Sequence, residues 1–267
     1  MARKCKPRTA IVTGGARGIG RAIALGLARN GYNVTVNNVS SAQPLIDETV
    51  AAIRALGRQA HGHAAAVSSL GLATGLVKPL LEVTPEDFER MFAANVASVH
   101  YCYHNVLNCP IPSERYQRQA ADDQLELLEA AARQLIAQGT GGKLIGAASI
   151  VAFKPFALLG HYSASKWAVR GLTQAYAMEL AEHGIIAKAY APGIVDTPMW
   201  ELIDEGLAKK AGKAKGDMIT KYSREYIALG RTSVPEDVAK LVGFLASPAA
   251  EYITGPTYIV DGGIIFT

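Results

Sequence analysis

Cysteine is scarce in this chain. There are three in 267 residues, Cys5, Cys102 and Cys109, and no CxxC pair among them. An odd count without pairing spacing excludes a disulfide framework and suits a reducing compartment. No apolar run reaches membrane-spanning length, so no membrane helix is expected. The basic start, "RKCKPR", is not followed by an apolar stretch and does not read as a signal peptide. A cytoplasmic protein is therefore the expectation. Charge of either sign is modest, with 27 Lys and Arg against 23 Asp and Glu. Basic residues are scattered outside that start and "KKAGKAK" at 209–215, and no basic stripe carries interleaved aromatics. This excludes a nucleic-acid surface and leaves the two clusters as a solvated tail and a solvated loop. No internal repeat is visible. With 49% apolar and 19% charged residues the chain is globular, and its length allows one α/β domain with a sizeable core.

What is present alternates strand and helix. "TAIVTGG" is a short apolar run ending in glycines, a buried strand feeding a turn. "IGRAIALGLARNG" is helical and stops at Gly31 as a C-cap. "YNVTVNNV" is a second strand. "QPLIDETVAAIRALGRQ" is an amphipathic helix with Leu45, Ile46, Val50, Ile53 and Leu56 at helical spacing. "AHGHAAAV" is a third strand. The order β-α-β-α-β is a mononucleotide-binding half of a doubly wound parallel sheet. Further on, Thr84 and Pro85 start a helix as N-cap and first-turn proline. "KLIGAASIVAF" and "IIAKAYAPG" are strands flanking the long helix "SASKWAVRGLTQAYAMELAEHG". Residues 197–230 form a helical, lysine-rich excursion, and "PEDVAKLVGFLAS" and "TYIVDGG" supply a last helix and strand.

Two motifs carry chemistry. "TGGARGIG", residues 13–20, lies between a strand and a helix. Gly14 allows the tight turn, and Gly18 and Gly20 allow close backbone approach and helix packing. The helix N-terminus offers N–H groups and partial positive charge to a pyrophosphate. "YSASK" places Tyr162 and Lys166 four apart on one helix face. An ammonium beside a phenol favours the phenolate and is expected to bring Tyr162 toward neutrality, as an acid for a carbonyl or a base for an alcohol. Ser149, at the end of a predicted strand, can polarise a substrate oxygen.

On these residues the chain resembles the short-chain dehydrogenase/reductase family. That family combines TGxxxGxG, a serine, a YxxxK pair and an asparagine on the preceding helix. Here they fall on Gly14, Gly18 and Gly20, on Ser149, on Tyr162 and Lys166, and on Asn95 of "AANVAS". The resemblance implies a Rossmann-type sheet in a single domain over residues 1–267. It implies that Lys166 also holds the nicotinamide ribose and that Asn95 supports a proton-relay water. It assigns Thr13, Gly14, Arg17, Gly18, Ile19, Gly20, Asn38 and Val67 to the cofactor. "APGIVDTPMW" matches the family's nicotinamide segment, which adds Pro192, Gly193, Val195 and Thr197. With "GRTSVPEDVA" and "DGGIIF", this tail is most similar to the acetoin/diacetyl reductase and 2,3-butanediol dehydrogenase branch. The family also implies a homo-oligomer, a tetramer or dimer.

The chain departs from that pattern in four places. After the third strand, "AAAVSSLGLATGLVKPLLEVTPEDF" runs straight into the next helix. The family has a helix, a strand and an Asn-Asn-Ala-Gly turn there, a unit of roughly thirty residues. The absent strand belongs beside the first one, so its loss around residues 67–75 is expected to leave backbone groups unpaired and to open part of the cofactor wall. Residues 104–124, conversely, form an extra polar segment broken by Pro110 and Pro112. Asn38 stands where members that prefer NAD carry an acid for the ribose 2′-hydroxyl. An amide does not repel a 2′-phosphate, and Arg17, Ser40 and Ser41 can contact one, which tilts the expectation to NADP(H) over NAD(H). Ala66 stands where the family usually has an Asp near the adenine. The pairs His61/His63 and His100/His104 lack further ligands for zinc and read as polar faces, so no metal is expected.

The sequence thus predicts hydride transfer between NAD(P)H and a small carbonyl such as diacetyl or acetoin, with 2,3-butanediol as the corresponding alcohol. Tyr162 is the acid/base, Lys166 its partner, Ser149 the carbonyl-orienting group and Asn95 the relay support. Trp200 and the 197–222 stretch are expected to cap the pocket. The rival expectation is a catalytically silent Rossmann-fold protein, a pseudoenzyme or a splice variant, motivated by the absent strand and by Asn38 and Ala66.

Overall fold

A computed structural model describes residues 8–64, 77–99, 135–137 and 139–267. Two compact units emerge. One comprises the described residues of Met1–Ala66 with Val234–Phe244, the other those of Val67–Ser233 with Leu245–Thr267.

The first unit has the predicted order: β1 (Thr9–Thr13), α1 (Gly18–Arg29), β2 (Asn33–Asn38), α2 (Gln43–Ala55) and β3 (Ala60–Ala64). The strands are parallel with β2 in the middle, so that Val12 lies opposite Val36 and Val36 opposite Gly62. Each strand-to-strand connection of this kind needs a crossover, which α1 and α2 provide. Val34 and Val36 are fully buried, and Ile23, Ala24 and Leu27 of α1 are buried too. On α2 the buried stripe is Ile46, Thr49, Val50 and Ile53. Leu45 and Leu56, predicted for the same face, are 40% and 41% exposed. At 100° per residue the two leucines fall together on one flank of that stripe, away from its centre.

The second unit begins with α3 (Pro85–Phe92), which runs on into a π-turn, Ala93–Ala97. Its start follows the prediction: Pro85 opens the helix, and Thr84 and Asp87 exchange bonds in a capping box. Then come β4 (Gly142–Ala147), α4 (Gly160–Glu179), β5 (Ile185–Pro192), α5 (Pro198–Ala211), α6 (Asp217–Tyr226), α7 (Pro235–Ala246) and β6 (Thr257–Val260). The first part of α7 belongs to the other unit. The predicted excursion at 197–230 resolves into α5 and α6. The sheet order is β4-β5-β6, all parallel. Ile185 and Ala187 of the central strand pack on Tyr176, Ala177 and Leu180, and Ala189 and Ala191 on Val169.

Parallel strands with helical crossovers make this the predicted α/β, Rossmann-like fold. Among the described residues, β1 pairs only with β2 and β4 only with β5, so the strands stand in two three-stranded sheets. The absent strand was expected beside β1. The segment of the expected gap, with Ala66 and Val67, lies outside the described residues, as do the 104–124 insertion, all three cysteines, His100 and His104.

Candidate active site

In the first unit, β1 delivers the chain into a turn where Gly14 and Gly18 have φ of +64° and +52°, the left-handed region that favours glycine. A Cβ on Gly20 would lie 2.2 Å from the Gly14 carbonyl oxygen, so the first turn of α1 rests on the loop below it. Arg17 occupies the N-cap position with an extended backbone, but its side chain makes no capping bond, and the first turn holds no acid. The positive end of α1 is therefore neutralised by no side chain of its own helix start. This turn fits the pyrophosphate of a dinucleotide: close backbone approach, uncapped N–H groups and an exposed arginine. Thr13 is exposed and Ile19 half-buried. Asn38 closes β2 with its Oδ1 accepting from the Val39 N–H at 2.8 Å, which leaves its amide nitrogen as a donor. Ser40 and Ser41 follow, both exposed.

In the second unit, β4 ends at Ala147, and Ser149 caps the short 3₁₀ turn Ile150–Ala152. Its Oγ accepts from the Val151 N–H at 3.4 Å. Tyr162 and Lys166 come from the first two turns of α4 and are buried. The Lys166 Nζ donates to the Ala147 carbonyl at 2.9 Å and lies 5.6 Å from the centroid of the Tyr162 ring. A hydrogen bond joins Tyr162 to Ser149. Asn95 sits in the middle of the π-turn, and its Nδ2 donates to Ser165 Oγ at 2.9 Å and to Met91 Sδ at 3.1 Å. Ser165 in turn donates to the Tyr162 carbonyl at 2.7 Å. The four residues predicted to be catalytic thus meet in one buried cluster.

The electrostatics differ from the expectation. Burial pushes the Tyr162 phenol up to about 12, and only the bond to Ser149 works against it. Burial also brings the Lys166 ammonium down to about 8. The cause is the apolar wall around the pair: Met91, Ile150, Val151, Ile203 and Ile265 pack with Tyr162. Lys166 meanwhile points its charge at a backbone carbonyl. Tyr190, opposite Ala147 in the β4–β5 ladder, is a second phenol raised by burial, with Tyr162 adding to the effect.

Pro192 closes β5. A Cβ on Gly193 would meet that of Asp261 at 2.7 Å, so this glycine is needed for packing against the end of β6 quite apart from any ligand. Val195 bridges Ser233, and Thr197 stands at the N-cap of α5 with its hydroxyl donating to the Val195 carbonyl at 3.2 Å. Trp200 and Leu207 of the predicted cap, with Val77, pack on the cluster that holds Tyr162. The segment before α3 also reaches the start of α4. The Lys78 N–H donates to the carbonyl of Leu158 at 2.9 Å, and Leu158 is the one non-glycine with positive φ, +68°, among the described residues. Lys78 and Arg90 both clasp Asp87, at 2.5 and 2.6 Å, and the Lys78 bond is the largest reason its carboxyl is held well below the usual range. Sequence reasoning singled out neither Leu158, Ser165 nor Tyr190. Ser165 was visible inside "YSASK", but the other two carry no spacing signal. His61 and His63 lie on β3, and no cluster of metal-ligating side chains occurs among the described residues.

Comparison with known proteins adds a family. A profile described as "short chain dehydrogenase" matches residues 8–77, and one described as "Enoyl-(Acyl carrier protein) reductase" matches residues 124–265. An L-2,3-butanediol dehydrogenase of Corynebacterium glutamicum is 40% identical over 283 residues, covering 97% of this chain and 99% of the relative. That aligned length exceeds the 267 residues of this chain, so gaps open on its side. A diacetyl reductase [(S)-acetoin forming] of Staphylococcus epidermidis is 34% identical, covering 97% of this chain and 99% of the relative. Among solved structures, an acetoin dehydrogenase from Enterobacter cloacae superposes with a TM-score of 0.72 at 25% identity, covering 98% and 96% of the two chains. An L-sorbose reductase from Gluconobacter frateurii, complexed with NADPH and L-sorbose, shares the fold with a TM-score of 0.77 at 22% identity, covering 98% and 97%.

Proposed function

The chain belongs to the short-chain dehydrogenase/reductase family, and from that premise we propose that it reduces a vicinal diketone or acyloin with a nicotinamide dinucleotide, Tyr162 donating the proton. The observation that carries this reading is the single buried cluster of Ser149, Tyr162, Lys166 and Asn95. The substrate class draws on the butanediol dehydrogenase and diacetyl reductase relatives, which align along nearly the whole chain. Bound nicotinamide supplies or accepts the hydride. Thr13, Gly14, Arg17, Gly18, Ile19 and Gly20 would hold the pyrophosphate side, and Pro192, Gly193, Val195 and Thr197 the nicotinamide side, with Val67 added from the resemblance. The Ser149 hydroxyl donates to the substrate oxygen and orients it. The Tyr162 phenol, protonated at neutral pH, delivers its proton to that oxygen as negative charge develops there. Lys166 keeps an ammonium within reach of the phenol, and Asn95 supports the return of the proton. With its pKa raised to about 12 the phenol is populated in its protonated form at neutral pH, the form that reduction of a carbonyl requires.

For the cofactor we favour NADP(H). Asn38 presents a donor and no carboxylate at the end of β2, and Arg17, Ser40 and Ser41 can add contacts to a 2′-phosphate. We also take the working form to be a homo-oligomer in the cytoplasm, acting as one domain over residues 1–267 with 197–230 as the substrate cap. No helix among the described residues is long and apolar enough to cross a membrane.

Titration with NADPH and NADH separately, followed by cofactor fluorescence, tests the first half of the proposal. Tighter NADPH binding is expected, reversed by Asn38→Asp, and a folded protein that binds neither would favour the rival. For the second half, Tyr162→Phe should lower diacetyl-dependent NADPH oxidation by about 10²–10⁴-fold with the melting temperature held. Retained turnover removes the mechanism.

A further inference from the structure

Asn95 and Tyr162 sit on different elements, yet one hydroxyl touches both. Ser165 is fully buried in α4. Its Oγ carries a single hydrogen. That oxygen lies 2.7 Å from the Tyr162 carbonyl, which can only accept, so the hydrogen is committed there. The Asn95 Nδ2 at 2.9 Å must then donate into a Ser165 lone pair. Turning the Asn95 amide over would set a carbonyl oxygen against an oxygen whose only proton is already used, so one of the two amide orientations is ruled out. The remaining contact of Nδ2, Met91 Sδ at 3.1 Å, is a weak acceptor that could not enforce the choice alone. The π-turn Ala93–Ala97 is what brings Asn95 to this point, and turns of that type gather at functional sites.

We propose that Ser165 is a positioning residue, which fixes the amide of Asn95 and the backbone of Tyr162 to one another and so sets the proton donor against its relay. The inference rests on the reductase reading above, since it gives Asn95 and Tyr162 their tasks. Ser165 touches neither substrate nor cofactor in this account. It acts through the two residues it bonds.

Two readouts test it. The first needs no activity: the side-chain ¹⁵N amide resonance of Asn95, identified by its loss in Asn95→Ala, followed for hydrogen exchange. Slow exchange is expected in the native protein and in Ser165→Thr, which keeps the hydroxyl, and fast exchange in Ser165→Ala. The second is kinetic. Ser165→Ala should lower kcat for diacetyl reduction about three- to ten-fold with KM within about two-fold, and Ser165→Thr should restore it. In an Asn95→Ala background the same substitution should have little further effect, because its route is already cut. Ser165→Cys, which keeps the volume and weakens the donor, replaces the alanine variant should that not fold. Equal amide protection in the native and Ser165→Ala proteins overturns the proposal, as does an undiminished kcat loss in the Asn95→Ala background. A native protein that reduces no dicarbonyl defeats the reductase reading instead, and the amide exchange still decides whether Ser165 sets Asn95.

Discussion

The second unit buries two lysines, and their surroundings are alike by most measures. Lys166, on α4, donates to the Ala147 carbonyl at the end of β4. Lys188, in the middle of β5, donates to the Leu245 carbonyl at 3.0 Å and to that of Ala250. Burial brings both ammonium groups down to about 8. What separates them is what else lies within reach. Lys166 stands beside a phenol and a serine hydroxyl at the end of a strand, where a substrate can be met. Lys188 faces the carbonyls at the end of α7 and the 3₁₀ turn after it, with the charges of Lys143 and Glu251 near by, and it satisfies groups that a helix C-terminus leaves without partners. A perturbed pKa therefore marks burial in both places and, on the proposed function, chemistry in one. The neighbours decide which.

The largest effect should come from the first of these regions. Lys166→Met should reduce turnover by about 10²–10⁴-fold, in the range of a lost acid–base partner, while stability falls by only about 1–3 kcal/mol, for the one carbonyl, that of Ala147, left without its donor. A variant that keeps its rate would make the two regions equivalent and both structural. Lys188→Met should do the reverse. Turnover stays, and stability falls by about 1–3 kcal/mol for each buried carbonyl left without a donor, read by denaturant unfolding. The pH dependence fixes the sign. An ordinary lysine titrates near about 10.4. Below about 8, Lys188 is charged in both folded and unfolded chains, and the folded one carries the full penalty of a buried charge. Between there and the unfolded value the unfolded chain holds a proton that the folded one has released, so native stability rises with pH. The methionine variant lacks that rise, and the difference between the two proteins should widen from pH 8 upward. A constant difference would mean that Lys188 is folded in with its proton throughout.

The rate profile sharpens the contrast at a smaller scale. If the Lys166 ammonium assists proton donation by Tyr162, kcat/KM for diacetyl reduction falls as pH rises through about 8. Lys188→Met should leave that limb in place even though its lysine titrates in the same range. Loss of the limb in Lys188→Met would assign the titration to the wrong lysine here.

Little of this contrast could be read from the chain itself. Gly14, Gly18, Tyr162 and Lys166 were legible because local spacing encodes them: a turn between strand and helix, and two residues one helical turn apart. Ser149 was legible from its place at the end of a predicted strand, whereas Asn95 followed only from a likeness to a family. In "IIAKAYAPG" the lysine stands out as a charge in an apolar strand, but its partners are backbone carbonyls of residues 245 and 250, which no residue type announces. The raised phenol of Tyr162 was missed for a related reason. The lysine four residues on is visible in sequence, whereas the apolar wall that raises the phenol is assembled from α3, the turn after β4, α5 and the chain end. The same gap between spacing and packing explains Leu45 and Leu56, which have helical periodicity and lie on the flank of the buried stripe.

The smallest expected effect concerns Lys143, which shares the Lys188 environment from the neighbouring strand. It donates to the carbonyls of Ala246 and Ser247 at 3.2 and 2.6 Å, and its side chain is 18% exposed, so water can replace it in part. Lys143→Gln should therefore lower stability by only about 0.5–1 kcal/mol. Its more informative consequence is remote. The Lys143 charge is the second cause, after burial, of the depressed Lys188 ammonium. Removing it should move Lys188 upward, and the onset of the pH-dependent gain in stability should shift to higher pH. An onset that stays at about 8 would leave burial as the only force on Lys188, and the two buried lysines would then differ in their neighbours but not in how charge reaches them.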